Sequence, residues 1–149
     1  MCDRVSVSLA TGIYAQPDPD NNRYIHACIV GPENTPFAGG FFEIEVFLDD
    51  KYPIAPPQCM FTTPCFHPNL DLHGRICLDT LKAQYTPALT ISAILLSIQN
   101  LLMNPNVEDP LDVNIAREWR ENPAAAQAKA RKMTMDRARL PPAWLGESR

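Results

Sequence analysis

The sequence predicts a single α+β domain in which an antiparallel sheet packs against one central helix. Two observations support this prediction. The first half of the chain holds short alternating segments separated by glycine and proline turns, as in strands joined in a meander. The second half holds apolar residues at three- and four-residue spacing, which is typical of helices. The 149 residues are enough for one core and too few for two typical domains, so we expect one domain over residues 1–149.

The amino-terminal segment, residues 1–13, supports two interpretations. Val5, Val7 and Leu9 alternate with polar residues as in a strand. Val5, Leu9 and Ile13 also satisfy the spacing of a helix face. Periodicity does not decide between them.

Three strands are predicted next, over residues 24–30, 41–48 and 59–62. The second has one apolar face, formed by Phe42, Ile44, Val46 and Leu48. The turn signals around these strands are Gly31-Pro32, Gly39-Gly40, Tyr52-Pro53 and Pro56-Pro57. Short strands joined by short loops predict antiparallel pairing.

Three helices are predicted in the last third of the chain. Thr90 can cap the first, and Asn104-Pro105 ends it. Its apolar face comprises Ile91, Ile94, Leu95, Ile98, Leu101 and Leu102. Two further helices are expected over residues 112–121 and 124–140, the second stopped by Pro141-Pro142.

Between the sheet and the central helix lies a long stretch, residues 64–89, with no clear period. Loops of this length are uncommon unless they are functional. This one contains His67-Pro68-Asn69 and, eight residues after Asn69, Cys77 within Gly74-Arg75-Ile76-Cys77-Leu78-Asp79. We therefore expect the functional site here.

Cys77 is the candidate reactive residue. Asn69 offers a neutral amide donor, and Asp79 places a carboxylate two residues past the sulfur. Neither is a base aimed at the thiol, and a nearby anion disfavours thiolate, so the arrangement does not suit a cysteine protease. It suits a thiol that holds an acyl group as a thioester until an amine attacks, with Asn69 stabilising the oxyanion. The alternative is that Cys77 is a small buried hydrophobe.

The ordered motifs resemble those of the ubiquitin-conjugating enzymes: P-x-x-P-P-x, then H-P-N, then G-x-I-C-L-D, then P-A-L. The similarity extends from about Tyr14 into the helical carboxyl-terminal third. Within the family, the chain most resembles the branch that builds lysine-63-linked ubiquitin chains. The segments that carry this closer similarity are Asn22-Arg23-Tyr24, Gly31-Pro32, Thr35-Pro36-Phe37, Gly39-Gly40, Gly74-Arg75-Ile76-Cys77-Leu78-Asp79 and Asp109-Pro110-Leu111.

The resemblance implies a fold and an activity. The fold is a four-stranded antiparallel meander on a central helix, with a shortened or absent first helix. The activity is acceptance of ubiquitin as a thioester on Cys77 and its transfer to a lysine amine. Asn69 would contact the oxyanion and support its loop, and Asp109 would orient or desolvate the incoming lysine across from the thiol. Asp79 completes the predicted catalytic set. No metal or organic cofactor is implied, because ATP is used by the activating enzyme.

The resemblance also implies partners: ubiquitin, the ubiquitin-activating enzyme, ubiquitin ligases and a cysteine-less variant of the family in a heterodimer. Ile54, Pro87 and Ala88 would form the apolar patch that ligases contact. Glu45 and Phe47 match positions that hold the variant partner. Two residues depart from the branch, since Met60 replaces a basic residue and Tyr85 replaces the more usual tryptophan.

Composition excludes several other classes. The net charge of −4 and a pI near 5.3 argue against nucleic acid as the main partner, which calls for a basic face. No apolar run reaches the roughly 18 residues of a membrane span, so we expect no membrane partner. Five cysteines without a C-x-x-C pair, and no apolar run after Met1, predict a cytoplasmic or nuclear protein. Cys28 and Cys59 lie on strand patterns and are predicted core residues.

Two alternative functions are kept. Cys65, His67, His73 and Cys77 are possible zinc ligands in one loop, although their spacings differ from those of typical zinc sites. If they bind no metal, His67 is a structural residue that braces the turn, and Cys65 has no clear assignment. The second alternative is a non-catalytic interaction module of the ubiquitin pathway, because the short amino terminus could prevent docking with the activating enzyme.

Overall fold

The computed structural model describes residues 12–147, and its amino-terminal part is a four-stranded antiparallel sheet. The strands are β1 (Ile13–Pro17), β2 (Tyr24–Val30), β3 (Phe41–Phe47) and β4 (Gln58–Phe61), in the order β1-β2-β3-β4. The predicted meander is therefore confirmed. The shortened or absent first helix was predicted for residues that lie outside the described part of the chain.

The sheet has one buried face and one open face, because side chains alternate along each strand. In β3, Phe42, Ile44 and Val46 are buried, whereas Glu45 between them is exposed. The register places Ile44 opposite Ala27 and Glu45 opposite Met60. The alternation predicted from the sequence thus separates a core face from a surface face.

Helix α1 (Ile91–Met103) packs its apolar face into the same core as the sheet. Five of its six predicted apolar residues are buried, namely Ile94, Leu95, Ile98, Leu101 and Leu102. Ile91, in the first turn, is partly buried against them. The Thr90 side chain accepts a hydrogen bond from the Ala93 backbone N–H at 3.1 Å, as expected of a helix cap.

Two helices follow, α2 (Val113–Glu121) and α3 (Pro123–Arg137). Helix α3 ends three residues before the predicted boundary at 140. The Ala138 N–H closes the last turn on Thr134, and the Ala138 carbonyl accepts from the Phe41 N–H at 2.7 Å. The start of β3 therefore binds the chain at Ala138, where helical spacing alone would continue α3.

A short helix that the sequence did not predict, α4 (Ala143–Glu147), begins directly after Pro141-Pro142. Proline is tolerated at the start of a helix, but α3 has already ended at Arg137, so the pair does not stop α3 as predicted. Among residues 12–147, no helix has the length and apolar character that crossing a membrane requires.

Candidate active site

Cys77 lies in an open groove of about 670 Å³ between three segments of the chain. One wall is a short 3-10 helix, Asp79–Leu81, and another is the exposed side of α1. The third is the loop that follows α1, which contributes Asn106 and Asp109. The loop predicted to contain the functional site thus forms part of an open groove, and Cys77 lies in the wall of this groove.

The backbone fixes the position of Cys77. Its N–H donates to the Asn69 carbonyl at 2.9 Å, and Leu70 pairs with Ile76 in an antiparallel bridge. Gly74 closes the turn between these segments with a φ of +87°, and a Cβ at this position would overlap the Phe61 carbonyl. Only glycine lets the backbone at position 74 lie this close to the Phe61 carbonyl without strain. The H-P-N and G-R-I-C-L-D segments are therefore two sides of one turn.

His67 is fully buried beneath the groove, and both of its ring nitrogens are occupied. Nε2 donates to the Leu101 carbonyl at 2.8 Å, and Nδ1 accepts from the Asn69 N–H at 3.0 Å. Burial lowers the pKa of His67 from 6.5 to about 4, so the ring is neutral. These contacts support the bracing role predicted for His67 and leave it no nitrogen for zinc. Within the described residues, no three side chains are grouped as a metal site would require.

The Asn69 side chain is 1% exposed and is hydrogen-bonded to the loop after α1. Nδ2 donates to the carbonyl of Asn106 at 2.9 Å and to that of Asp109 at 3.2 Å. Oδ1 accepts from the Asn106 N–H at 2.8 Å. These bonds correspond to the loop-supporting role of Asn69, whereas its oxyanion contact stays a prediction.

Asp109 and Asp79 both line the groove that holds Cys77. The thiol donates to the Asp109 carbonyl, with Sγ 3.7 Å from the oxygen. Asp79 begins the 3-10 helix, where its carbonyl accepts from the N–H groups of Lys82 and Gln84. The structure thus brings three of the four predicted catalytic residues to the groove surface and places the fourth, Asn69, beneath it.

Lys82 is a site residue that the sequence analysis missed. Its Nζ donates to Cys77 Sγ at 3.6 Å, although the two residues are five apart in the chain. The 3-10 turn brings the chain back toward the sulfur, and the Lys82 N–H donates to the Asp79 carbonyl at the end of this turn. Such a turn has no repeating pattern of apolar residues, so the sequence offered only one signal, a basic residue soon after the cysteine motif.

The other cysteines in the described residues differ from Cys77. Cys28 and Cys59 are buried, as predicted, and burial raises the pKa of each thiol to about 12. Cys65 is partly exposed and lines a different cavity, next to β4. Of these four thiols, Cys77 alone lines the groove described above.

The sequence matches the ubiquitin-conjugating enzyme family over residues 2–134. This chain belongs to that family. It is 50% identical over 123 residues to ubiquitin-conjugating enzyme E2 N of Macaca fascicularis, covering 83% of this chain and 81% of the relative. It is also 50% identical over 123 residues to ubiquitin-conjugating enzyme E2 13 of Saccharomyces cerevisiae, with 83% and 80% covered.

The fold of this ubiquitin-conjugating enzyme is similar to that of a solved relative. The E2 domain of a Toxoplasma gondii ubiquitin conjugating enzyme aligns with a TM-score of 0.82 and 37% identity, covering 87% of this chain and 90% of the other. The family and enzyme class predicted from the motifs are therefore confirmed.

The residues predicted to bind ligases are exposed on two loops of this enzyme. Ile54 is 78% exposed, and Pro87 and Ala88 are also exposed. The Tyr85 hydroxyl donates to the Pro53 carbonyl at 2.7 Å and so ties the two loops together. Tyrosine therefore provides a link between the loops at the position where the branch more often has tryptophan.

The residues predicted to hold a variant partner lie on the open face of the sheet. Glu45 is exposed, and the half-buried Phe47 packs on Tyr24 with ring centroids 5.0 Å apart. Met60, the departure from the branch, is 42% exposed and lies opposite Glu45. Met60 also forms a bridge with Arg75, so a basic residue remains next to this position.

Proposed function

We propose that this protein accepts ubiquitin as a thioester on Cys77 and transfers it to a lysine amine. The observation that carries the proposal is the position of Cys77 in an open groove of a ubiquitin-conjugating enzyme, with Asp109 also lining that groove. In the first step the Cys77 thiolate attacks the thioester of ubiquitin on the activating enzyme. A new C–S bond forms, the C–S bond to the activating enzyme breaks, and the cysteine of that enzyme leaves as a thiolate.

In the second step a lysine amine attacks the thioester carbon, a C–N bond forms and the Cys77 sulfur leaves. Attack requires a neutral amine, and a carboxylate at the groove attracts the lysine and accepts its proton. We assign this step to the Asp109 carboxylate, because Asp109 lines the groove and its main-chain carbonyl contacts the Cys77 sulfur. No metal or organic cofactor takes part.

We further propose that the enzyme builds lysine-63-linked chains with a cysteine-less variant partner, as the resemblance implies. The open sheet face supports this proposal, because Glu45 and Phe47 are accessible there and Arg75 lies beside Met60. Ligases would contact Ile54, Pro87 and Ala88. The cytoplasm and the nucleus are the proposed locations.

The test of the central proposal is a charging assay with activating enzyme, ATP and ubiquitin, analysed on gels with and without a thiol reductant. We expect a reducible adduct one ubiquitin heavier on the wild type and none on Cys77→Ala. Cys65→Ala is the matched control, since Cys65 is also a free, partly exposed cysteine, and it should charge normally. A reducible adduct on folded Cys77→Ala would refute the assignment.

The linkage is tested separately, by adding a variant partner and comparing wild-type ubiquitin with ubiquitin whose lysine-63 is replaced by arginine. We expect chains only from the wild type. Equal chain formation from both would exclude lysine-63 specificity while leaving the thioester step intact. Failure of the folded enzyme to charge at all would instead favour the non-catalytic interaction module.

A further inference from the structure

Attack on a thioester places negative charge on the carbonyl oxygen, and a hydrogen-bond donor must stabilise it. Asn69 is the donor that the sequence suggests, but its amide has only two hydrogens. Both are donated to the carbonyls of Asn106 and Asp109, and the side chain is 1% exposed. Asn69 therefore has no hydrogen left for an oxyanion while it holds the loop.

Lys82 has hydrogens available for an oxyanion, which Asn69 lacks. Its Nζ is 3.6 Å from Cys77 Sγ and carries three hydrogens as an ammonium group. The carbonyl oxygen of a thioester is attached to the carbon that is bonded to this sulfur, so a donor beside the sulfur is also close to that oxygen. Lys82 is exposed and lines the groove, so it can follow the carbonyl once ubiquitin is attached.

The charges around the groove strengthen this assignment. Asp79 and Asp109 are the acidic residues that line it, and both disfavour a developing oxyanion. Among the described residues, Lys82 is the basic residue of the lining. A charge-assisted hydrogen bond from an ammonium group is also roughly twice as strong as one from a neutral amide.

We propose that Lys82 is the oxyanion donor of the aminolysis step, an inference that rests on the proposed thioester at Cys77. The lysine amine adds to the carbonyl carbon, and the C–O π electrons move to the oxygen, which accepts a hydrogen bond from the Lys82 ammonium. Collapse of this intermediate reforms the carbonyl, breaks the C–S bond and releases the Cys77 thiolate. The proton of the amine passes to Asp109 or to solvent. Lys82 keeps its own proton, and Asn69 is a positioning residue for the loop.

The test is single-turnover discharge of purified thioester to free lysine, followed at several lysine concentrations. Lys82→Met should lower the maximal discharge rate by about 10- to 100-fold, less than the roughly 100- to 1000-fold loss of an enclosed oxyanion donor, because solvent screens the exposed Lys82 charge. Lys82→Arg, which restores a cationic donor, should recover most of that rate. Lys132→Met is the matched control, since Lys132 is an exposed lysine on α3 paired with Asp136, and it should discharge like the wild type. The loss of thioester without added lysine is subtracted, because removing Lys82 also removes a nearby amine.

The outcomes separate the alternatives. Normal lysine discharge by Lys82→Met would overturn the assignment, and so would a defect confined to charging, which would limit Lys82 to activating the thiol. A raised KM for lysine with an unchanged maximal rate would also overturn it, because that result indicates substrate binding. If the wild type forms no thioester, the proposed function itself fails.

Discussion

The buried side of the Cys77 site, beneath the groove, holds His67 and Asn69, which are 0% and 1% exposed and whose polar side-chain atoms are bonded to protein partners. The exposed side, in the wall of the groove, holds Asp79 and Lys82, and the Lys82 ammonium donates to the sulfur itself. The two sides belong to the same site but differ in burial. A buried polar group is costly to leave unpaired, whereas an exposed one is free to change partners.

The two sides have different tasks. The buried side fixes the position of the sulfur and of the loop that contains Asp109. The exposed side provides charges that can rearrange as the thiol becomes a thioester and then a tetrahedral intermediate. Substitutions on the buried side should therefore lower the free energy of unfolding, and substitutions on the exposed side should change rates alone.

Asn69→Ala should perturb the protein more than any other substitution on either side. It removes the acceptor of the Asn106 N–H and the donors to two carbonyls, so we expect the free energy of unfolding to fall by about 3 kcal/mol. Charging should persist, while discharge to lysine should slow by roughly 100-fold through loss of the loop geometry. Denaturant unfolding and single-turnover discharge measure the two effects.

Asn104→Ala is the control for this comparison, because Asn104 is an exposed asparagine whose amide contacts Asn100 at the end of α1. Its unfolding free energy and discharge rate should stay close to those of the wild type. If Asn69→Ala slows discharge at wild-type stability, the buried side has a direct chemical role, and the proposed division between the two sides is wrong.

A second prediction concerns the dependence of stability on pH. The pKa of His67 is about 4 in the folded protein and 6.5 in the unfolded chain, so between these values only the unfolded chain binds a proton there. The neutral His67 ring makes its full contribution to the free energy of unfolding above pH 6.5, and this contribution decreases as the pH falls toward 4. Coupling between proton binding and unfolding therefore lowers the free energy of unfolding by about 2 kcal/mol between pH 7.5 and pH 5.

Denaturant unfolding at the two pH values checks this, with His67→Gln and His73→Gln as the matched pair. The pH dependence should shrink by that amount in His67→Gln and persist in His73→Gln, where the histidine removed is exposed. If His67→Gln is too unstable to measure, NMR of the wild type decides the matter. The His67 ring signals should keep their shifts from pH 7.5 to pH 5, and a titration within that range would contradict the buried, neutral ring.

The buried side and the exposed side also differ in what the sequence can predict. Local patterns predicted three of the four strands, the Thr90 cap and the face of α1, because burial repeats with the period of each element. The motif predicted that Cys77 and Asn69 belong to one functional site. The partners of the Asn69 amide lie 37 and 40 residues away, and the Lys82 contact depends on an irregular turn, so neither has a local signal.

Asp79→Asn should have a weak effect, and it tests the exposed side directly. Asp79 is exposed, so its loss should change the free energy of unfolding by less than about 0.5 kcal/mol. Asp79 lines the Cys77 groove, and removing its negative charge lessens the repulsion of an anionic reagent, so alkylation of Cys77 by iodoacetate, measured relative to that by neutral iodoacetamide, should accelerate by about two-fold at low salt. The gain should fade at high ionic strength, because salt screens exposed charges. Asp20→Asn, an exposed carboxylate in the turn between β1 and β2, should show neither change. An acceleration that persists at high salt, or a loss of stability, would mean that Asp79 acts through local structure, and the exposed side would then share the constraint of the buried one.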